Sequence, residues 1–248
     1  MPKEQFAGAD KVNTSFLKPL ERRLEPIVLP RIPRWIKSQH LTMLTLVWSP
    51  LILFFSYLAR GNLHWLWMVS LMICCQWVTD HYDGKLGKYR KSGLVRWGYY
   101  MDHLLDYLFL CSLIIGYAFI LPEHSRYQLL FMLALFGAYE MSTFLVFATL
   151  QELKISYLKF GPTEFRLALI IINALLIRYG IAHMVDALKY VNIGAVIGLG
   201  VMMYTNHKRL WRLDMEHKSR QPRTPNTNES AAHRTIQSPP TMYELGSR

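Results

Sequence analysis

Six apolar stretches, each close to the length of a membrane-spanning helix, constrain this chain more than any other feature. A helix needs about 20 mostly apolar residues to cross the hydrocarbon core of a bilayer. The stretches run approximately over residues 41–59, 63–79, 97–120, 127–150, 165–179 and 188–205. Because lipid leaves no partner for unpaired backbone groups, helices are the simplest solution. The pattern predicts an all-α integral membrane bundle of about six transmembrane helices, the second of which continues beyond its apolar run.

Positive charges lie mostly on one side of these predicted spans. Of 28 Lys and Arg residues, all but four fall in residues 1–40, 81–97 and 154–166 or after residue 206. The four exceptions are Arg60, Arg126, Arg178 and Lys189. Since cytoplasmic segments carry the excess of Lys and Arg, both termini are predicted to be cytoplasmic, with an even number of spans. The same bias explains the net charge of +11 without nucleic acid as a partner.

Three regions are predicted along the chain. Residues 1–40 form a cytoplasmic segment without a cleavable signal peptide, residues 41–206 the transmembrane domain, and residues 207–248 a basic, largely disordered tail. Apolar side chains recur at helical spacing in the first region: Phe16, Leu17, Leu20, Leu24 and Ile27. This spacing predicts a helix that lies on the membrane surface or packs on the domain.

Four aspartates lie where the second apolar stretch ends and the third begins. Asp80 and Asp83 are three residues apart and Asp102 and Asp106 are four apart, so each pair projects from one helical face. An ionised aspartate at the centre of a membrane helix costs about 2.5–3.5 kcal/mol, so the charges need compensation. If the two helices are neighbours, the carboxylates converge on hard ions such as Mg²⁺, Mn²⁺ or Ca²⁺. Two divalent ions would balance the four charges.

Glycines and cations accompany the aspartates. The glycines are Gly84, Gly87 and Gly98, and the cations are Lys85, Lys88 and Arg90. Glycine removes the side chain where a bulky phosphorylated ligand would approach a helix. Metal ions beside such a ligand can clamp a diphosphate and stabilise charge on a transferred phosphoryl group. The segment therefore predicts metal-dependent phosphoryl transfer.

The segment from Asp80 to Asp106 resembles the signature of the CDP-alcohol phosphatidyltransferase family, D-x2-D-G-x2-A-R followed after seven to nine residues by G-x3-D-x3-D. All four aspartates, Gly84 and Gly98 match it. Gly87 and Lys88 stand where the pattern has alanine and arginine. Lysine keeps the charge of arginine but lacks its planar fork.

This resemblance implies a six-helix core, often dimeric, that opens to the cytoplasm and acts in phospholipid synthesis. The enzyme would transfer a substituted phosphate group from a CDP-alcohol to an acceptor hydroxyl and release CMP. Asp80, Asp83 and Asp102 would hold two Mg²⁺ or Mn²⁺ ions on the diphosphate. Asp106 would also bind metal and act as the general base. The residues expected beside the nucleotide are Asp80, Gly84, Gly87 and Lys88.

Two shorter segments are similar to the choline/ethanolamine phosphotransferase branch of the family. Asp102-His103 with Asp106 is similar to D-H-x-x-D, and residues 161–164 are similar to G-P-[TV]-E. Members of that branch are usually longer and place the small alcohol on CDP, whereas other branches place the lipid there. The donor and acceptor, whether lipid or small alcohol, therefore stay open. Further contacts to acceptor or phosphate are expected from Arg90, Glu164 and Arg166.

Three other functions are compatible with acidic membrane helices. A prenyltransferase would need a second aspartate-rich motif far along the chain, and a cation transporter would spread its carboxylates over several mid-membrane helices, where only Glu140 fits. A catalytically silent scaffold would bind metal without releasing CMP. The small size and the lack of a disulfide framework favour a bacterial inner membrane.

Overall fold

The computed structural model describes residues 25–150 and 162–220, and helices dominate both ranges. The described residues contain no strand. Seven α-helices follow in chain order: α1 (Ser38–Met43), α2 (Thr45–Ala59), α3 (Leu66–Tyr89), α4 (Val95–Ile120), α5 (Glu123–Leu150), α6 (Pro162–Tyr179) and α7 (Ala182–Arg220). Short 3-10 turns occupy Leu29–Arg31 and Leu63–Trp65. The predicted all-α fold class is confirmed.

Four segments of the described chain are long and apolar enough to cross a membrane. They are Ser38–Ala59, Val95–Ile120, Glu123–Leu150 and Ala182–Arg220. All six predicted stretches fall within helices, but α3 and α6 are not among these four segments. The helix α3 continues to Tyr89 through the aspartate segment, as expected, and α6 carries Glu164, Arg166 and Arg178. Six complete crossings therefore stay a prediction.

The closest packing joins α2 to α3 and α2 to α4. Both α3 and α4 pack against α1 and α2, and α6 packs against α3. The core between these helices contains the aliphatic side chains Ile52, Leu66, Ile73 and Leu113, each almost completely buried. Van der Waals contact between such closely packed side chains is a main favourable contribution when helices with few polar groups associate. The arrangement holds the polar end of α3 beside the first turns of α4.

Buried polar groups fix the register of the helices. Asn173 of α6 is completely buried, accepts a 2.7 Å hydrogen bond from the Tyr117 hydroxyl of α4 and donates a 3.0 Å bond to Ser70 of α3. One residue before Tyr117 on α4, a Cβ added to Gly116 would lie 2.5 Å from Oγ of Ser56. A small residue at this position allows α4 to approach α2 closely.

Several predictions about the ends of the chain fall outside the described residues. Of the predicted surface helix, only Ile27 is described, half-exposed in a helical turn at residues 25–28. Residues 221–248 of the predicted tail are also outside, whereas α7 continues to Arg220. The division into three regions therefore stays a prediction.

Candidate metal centre and active site

Three of the predicted aspartates come together between α3 and α4. One carboxylate oxygen from each of Asp80, Asp102 and Asp106 lies within 4.8 Å of the other two, and all three residues are partly buried. Asp102 and Asp106 are one turn apart on the same face of α4. Asp80 faces them from α3, because α1 and α2 hold both helices. Carboxylates this close repel one another unless a cation lies among them.

Arg166 supplies a positive charge to this cluster. Its Nη2 lies 3.0 Å from Oδ2 of Asp80 and 3.1 Å from Oδ1 of Asp106, and its side chain is 8% exposed. Arg166 lies in the first turns of α6, beyond the half-buried Glu164. The sequence suggested it only as a contact to acceptor or phosphate, and the structure places it directly on two predicted metal ligands.

The fourth aspartate, Asp83, is bound to α1 instead. Its Oδ2 accepts a 2.6 Å hydrogen bond from Thr42, its Oδ1 accepts a bond from the backbone N–H of Gly84, and its backbone carbonyl accepts a 2.8 Å bond from Ser38. A spacing of three residues turns Asp83 about 60° around the helix from Asp80. That rotation carries its buried side chain toward α1. A metal-binding role for Asp83 therefore stays a prediction.

Gln76, which was not among the predicted site residues, is completely buried one turn before Asp80. Its Nε2 donates a 3.0 Å hydrogen bond to Oδ1 of Asp106. A usable signal was present, because an amide within an apolar run must find a partner when the helix is buried. Ser38 and Thr42 were also missed, and their partner Asp83 lies about forty residues away.

The glycines of the segment differ in their surroundings. A Cβ added to Gly84 or to Gly98 would meet nothing within 4 Å, so both positions border open space. A Cβ on Gly87 would lie 3.1 Å from Oγ of Ser38 and 3.3 Å from Oγ of Ser92. Gly87 thus allows α1 to approach α3, which accounts for a glycine there independently of any nucleotide.

The basic residues after the aspartates contact mainly the segment before α1. The Arg90 guanidinium donates to the carbonyls of Ile32 (2.7 Å), Pro33 (3.2 Å) and Ile36. Lys85 forms a 2.6 Å ion pair with Glu25 and contacts His81. Lys88 is exposed at the end of α3. Of the cations predicted to act at this site, Arg166 is thus the one that contacts the aspartate cluster in the described part of the chain.

The three-carboxylate cluster fits a divalent metal ion chemically. Oxygen ligands lie about 2.0–2.1 Å from Mg²⁺ and about 2.3–2.6 Å from Ca²⁺, so two ligands of one ion are at most about 4.2 Å apart for Mg²⁺ and about 5.2 Å apart for Ca²⁺. The 4.8 Å limit on the carboxylate oxygens lies within the span for Ca²⁺ and about 0.6 Å above the span for Mg²⁺. Asp80, Asp102 and Asp106 could therefore share one ion with little movement, provided that Arg166 gives way.

Comparison with known proteins supports the resemblance noted in the sequence. The family model described as CDP-alcohol phosphatidyltransferase matches residues 35–204, which include the whole candidate site. Comparison with curated proteins and with solved structures gave no significant match. Members of this family are membrane transferases of phospholipid synthesis that move a phosphate group from a CDP-alcohol to an alcohol acceptor, and the family uses divalent metals. The match covers more than half of the chain, and the chain belongs to the CDP-alcohol phosphatidyltransferase family.

Proposed function

We propose that this protein transfers a substituted phosphate group from a CDP-alcohol to an acceptor hydroxyl and releases CMP. The observation that carries the proposal is the convergence of Asp80, Asp102 and Asp106, whose oxygens lie within 4.8 Å of one another. The buried Arg166 beside them shows that the cluster tolerates a cation. The family match supports the same reaction class.

Asp80, Asp102 and Asp106 are the residues that would hold Mg²⁺ or Mn²⁺. A bound ion would bind the diphosphate of the donor and stabilise the charge that develops on the transferred phosphoryl group. A second ion requires Asp83, whose carboxylate would have to exchange the Thr42 hydroxyl for metal. Two ions with four carboxylates are therefore part of the proposal, with Asp83 as the ligand that has to rearrange.

Asp106 is the proposed general base. It takes the proton of the acceptor hydroxyl, whose oxygen then bonds to the phosphorus distal to cytidine. The bond from that phosphorus to the bridging oxygen breaks, and CMP leaves with the oxygen. A base must lie within hydrogen-bond reach of the hydroxyl it deprotonates, and Asp106, at 36% side-chain exposure, is the more accessible of the two carboxylates that Arg166 contacts.

The open space beside Gly84 and Gly98 is the proposed path of the nucleotide along α3 and α4. Lys88, exposed at the end of α3, would approach the donor phosphates from outside. Because the donors of Arg90 already serve three backbone carbonyls, Glu164 and Arg166 are the better contacts for acceptor or phosphate.

The proposal also covers the side of the membrane on which the site lies, the assembly of the protein and the alcohol carried by CDP. The distribution of basic residues supports a site at the cytoplasmic face with cytoplasmic termini, and a bacterial inner membrane suits the small chain. The family resemblance supports a homodimer among membrane lipids. CDP-choline, CDP-ethanolamine and CDP-diacylglycerol are the donors to compare.

The test is CMP release by the purified protein in lipid vesicles, with each of these donors and either Mg²⁺ or Mn²⁺. Asp106→Asn should abolish release because it removes the proposed base and a proposed metal ligand. A chelator should also abolish release because it removes the metal ion. Asp186→Asn, the same change at an exposed site on α7, is the matched control and should leave release unchanged. Release that persists in Asp106→Asn at the wild-type rate contradicts the assignment of the base.

A further inference from the structure

A carboxamide is completely buried among the apolar side chains of α3, four residues before Asp80. This is Gln76, at 0% exposure, whose Nε2 donates a 3.0 Å hydrogen bond to Oδ1 of Asp106. Burial of an amide is unfavourable unless the amide is hydrogen-bonded. An aliphatic side chain would suit this position better if packing alone decided the residue.

Two donors meet on the same oxygen of Asp106. Besides Gln76, Nη2 of Arg166 lies 3.1 Å from Oδ1. A carboxylate oxygen offers about two lone-pair sites, so Oδ1 is fully used. Within residues 25–150 and 162–220, no hydrogen bond reaches Oδ2 of Asp106. Oδ2 is therefore the oxygen available for a proton or a metal ion.

The other end of the Gln76 amide has no such partner. Its buried Oε1 makes no hydrogen bond within the described part of the chain. An unsatisfied buried acceptor destabilises a fold. A side chain that is poorly satisfied in the fold, yet donates to a reactive carboxylate, is the pattern expected where stability is given up for function.

We propose that Gln76 is a positioning residue for Asp106. Its bond to Oδ1, which can remain when Arg166 gives way to a metal ion, orients Oδ2 toward the acceptor hydroxyl and the metal. The inference rests on the proposed function, in which Asp106 is the base. Loss of a hydrogen-bond partner of a metal ligand typically lowers metal affinity or activity by about 10- to 100-fold.

Two substitutions separate positioning from packing. Gln76→Met keeps the length of the side chain and removes the donor, and Gln76→Asn keeps the amide but withdraws it by one methylene. Gln128→Met is the matched control, since Gln128 also has a buried Oε1 without a partner in the described chain, but its backbone carbonyl bonds Asn192 on α7. The measurements are the kcat and KM of CMP release, the melting temperature, and Mn²⁺ affinity by electron paramagnetic resonance.

Both Gln76 variants should lose about 10- to 100-fold in kcat, with the donor KM within about twofold, and should bind Mn²⁺ more weakly. Gln76→Met should melt at or above the wild-type temperature because the unpaired Oε1 is gone. Wild-type kcat and Mn²⁺ affinity in Gln76→Asn, or equal losses in Gln128→Met, would overturn the proposal. If the wild type releases no CMP from any donor, the proposed function fails, and the Mn²⁺ affinities alone decide the role of Gln76.

Discussion

Removal of the Arg166 charge should destabilise the protein unless a divalent metal replaces it. Arg166→Met keeps the apolar stem and leaves Asp80 and Asp106 without their buried counter-charge. Loss of one partner of a buried ion pair costs about 3–5 kcal/mol. Because the Asp106 side chain is 36% exposed and the Asp80 side chain 20%, the lower end applies, about 3 kcal/mol. For a chain of this size that corresponds to a fall in melting temperature of about 6–12 °C.

Metal should reverse this loss. An ion that binds only the folded state, at a concentration one hundred times its Kd, stabilises by about 2.7 kcal/mol. Arg166 and the ion compete for the same two carboxylates, so the variant should also bind Mn²⁺ more tightly than the wild type. The Mn²⁺-induced rise in melting temperature should therefore be larger in Arg166→Met.

The assay is thermal unfolding followed by tryptophan fluorescence in detergent, with chelator or with Mn²⁺. Arg126→Met is the control, since Arg126 forms an exposed ion pair with Glu123 at 3.0 Å, a type that contributes little. If Arg166→Met has the melting temperature of the wild type in chelator, or if Mn²⁺ raises the melting temperatures of both proteins equally, Arg166 does not serve as the counter-charge of the site.

Two further predictions concern the neighbours of the cluster. Thr42→Val removes the hydroxyl that donates a 2.6 Å hydrogen bond to the Asp83 carboxylate. It should destabilise the metal-free protein by about 1.5–3 kcal/mol, measured as a lower melting temperature in chelator. An unchanged melting temperature would show that this bond does not stabilise the fold. Gly84→Ala should fold normally because its Cβ meets nothing within 4 Å, yet raise the donor KM severalfold, whereas Gly116→Ala should lower the melting temperature through its clash with Ser56. Equal effects on melting temperature would contradict the assigned surroundings of the two glycines.

The helices could be predicted from the sequence because apolar runs of the required length leave few alternatives. The predicted continuation of the second helix beyond its apolar run is observed in α3, which ends at Tyr89. The number of complete crossings could not be settled in the same way. The polar half of α3 and the charges of α6 make their passage through lipid depend on what surrounds them, which a local pattern does not contain.

The site could be predicted in outline, because spacing alone places Asp102 and Asp106 on one face. Contacts between residues distant in sequence could not be predicted in this way. Arg166 contacts Asp106, which lies 60 residues earlier, and Arg90 donates to carbonyls 54–58 residues before it. Both arginines had been expected to contact acceptor or phosphate. Which cation reaches the carboxylates depends on helix packing rather than on proximity in the chain.

The reaction class is tested most directly by the fate of the phosphate distal to cytidine. A CDP-alcohol labelled with ³²P at that phosphate, chosen as the donor that supports CMP release, is incubated with protein, Mn²⁺ and acceptor in vesicles. We expect the label to appear in a phosphodiester of the acceptor while the released CMP is unlabelled, and we expect Asp106→Asn to give neither product. Label released as inorganic phosphate, or transfer at the wild-type rate by Asp106→Asn, would contradict this expectation.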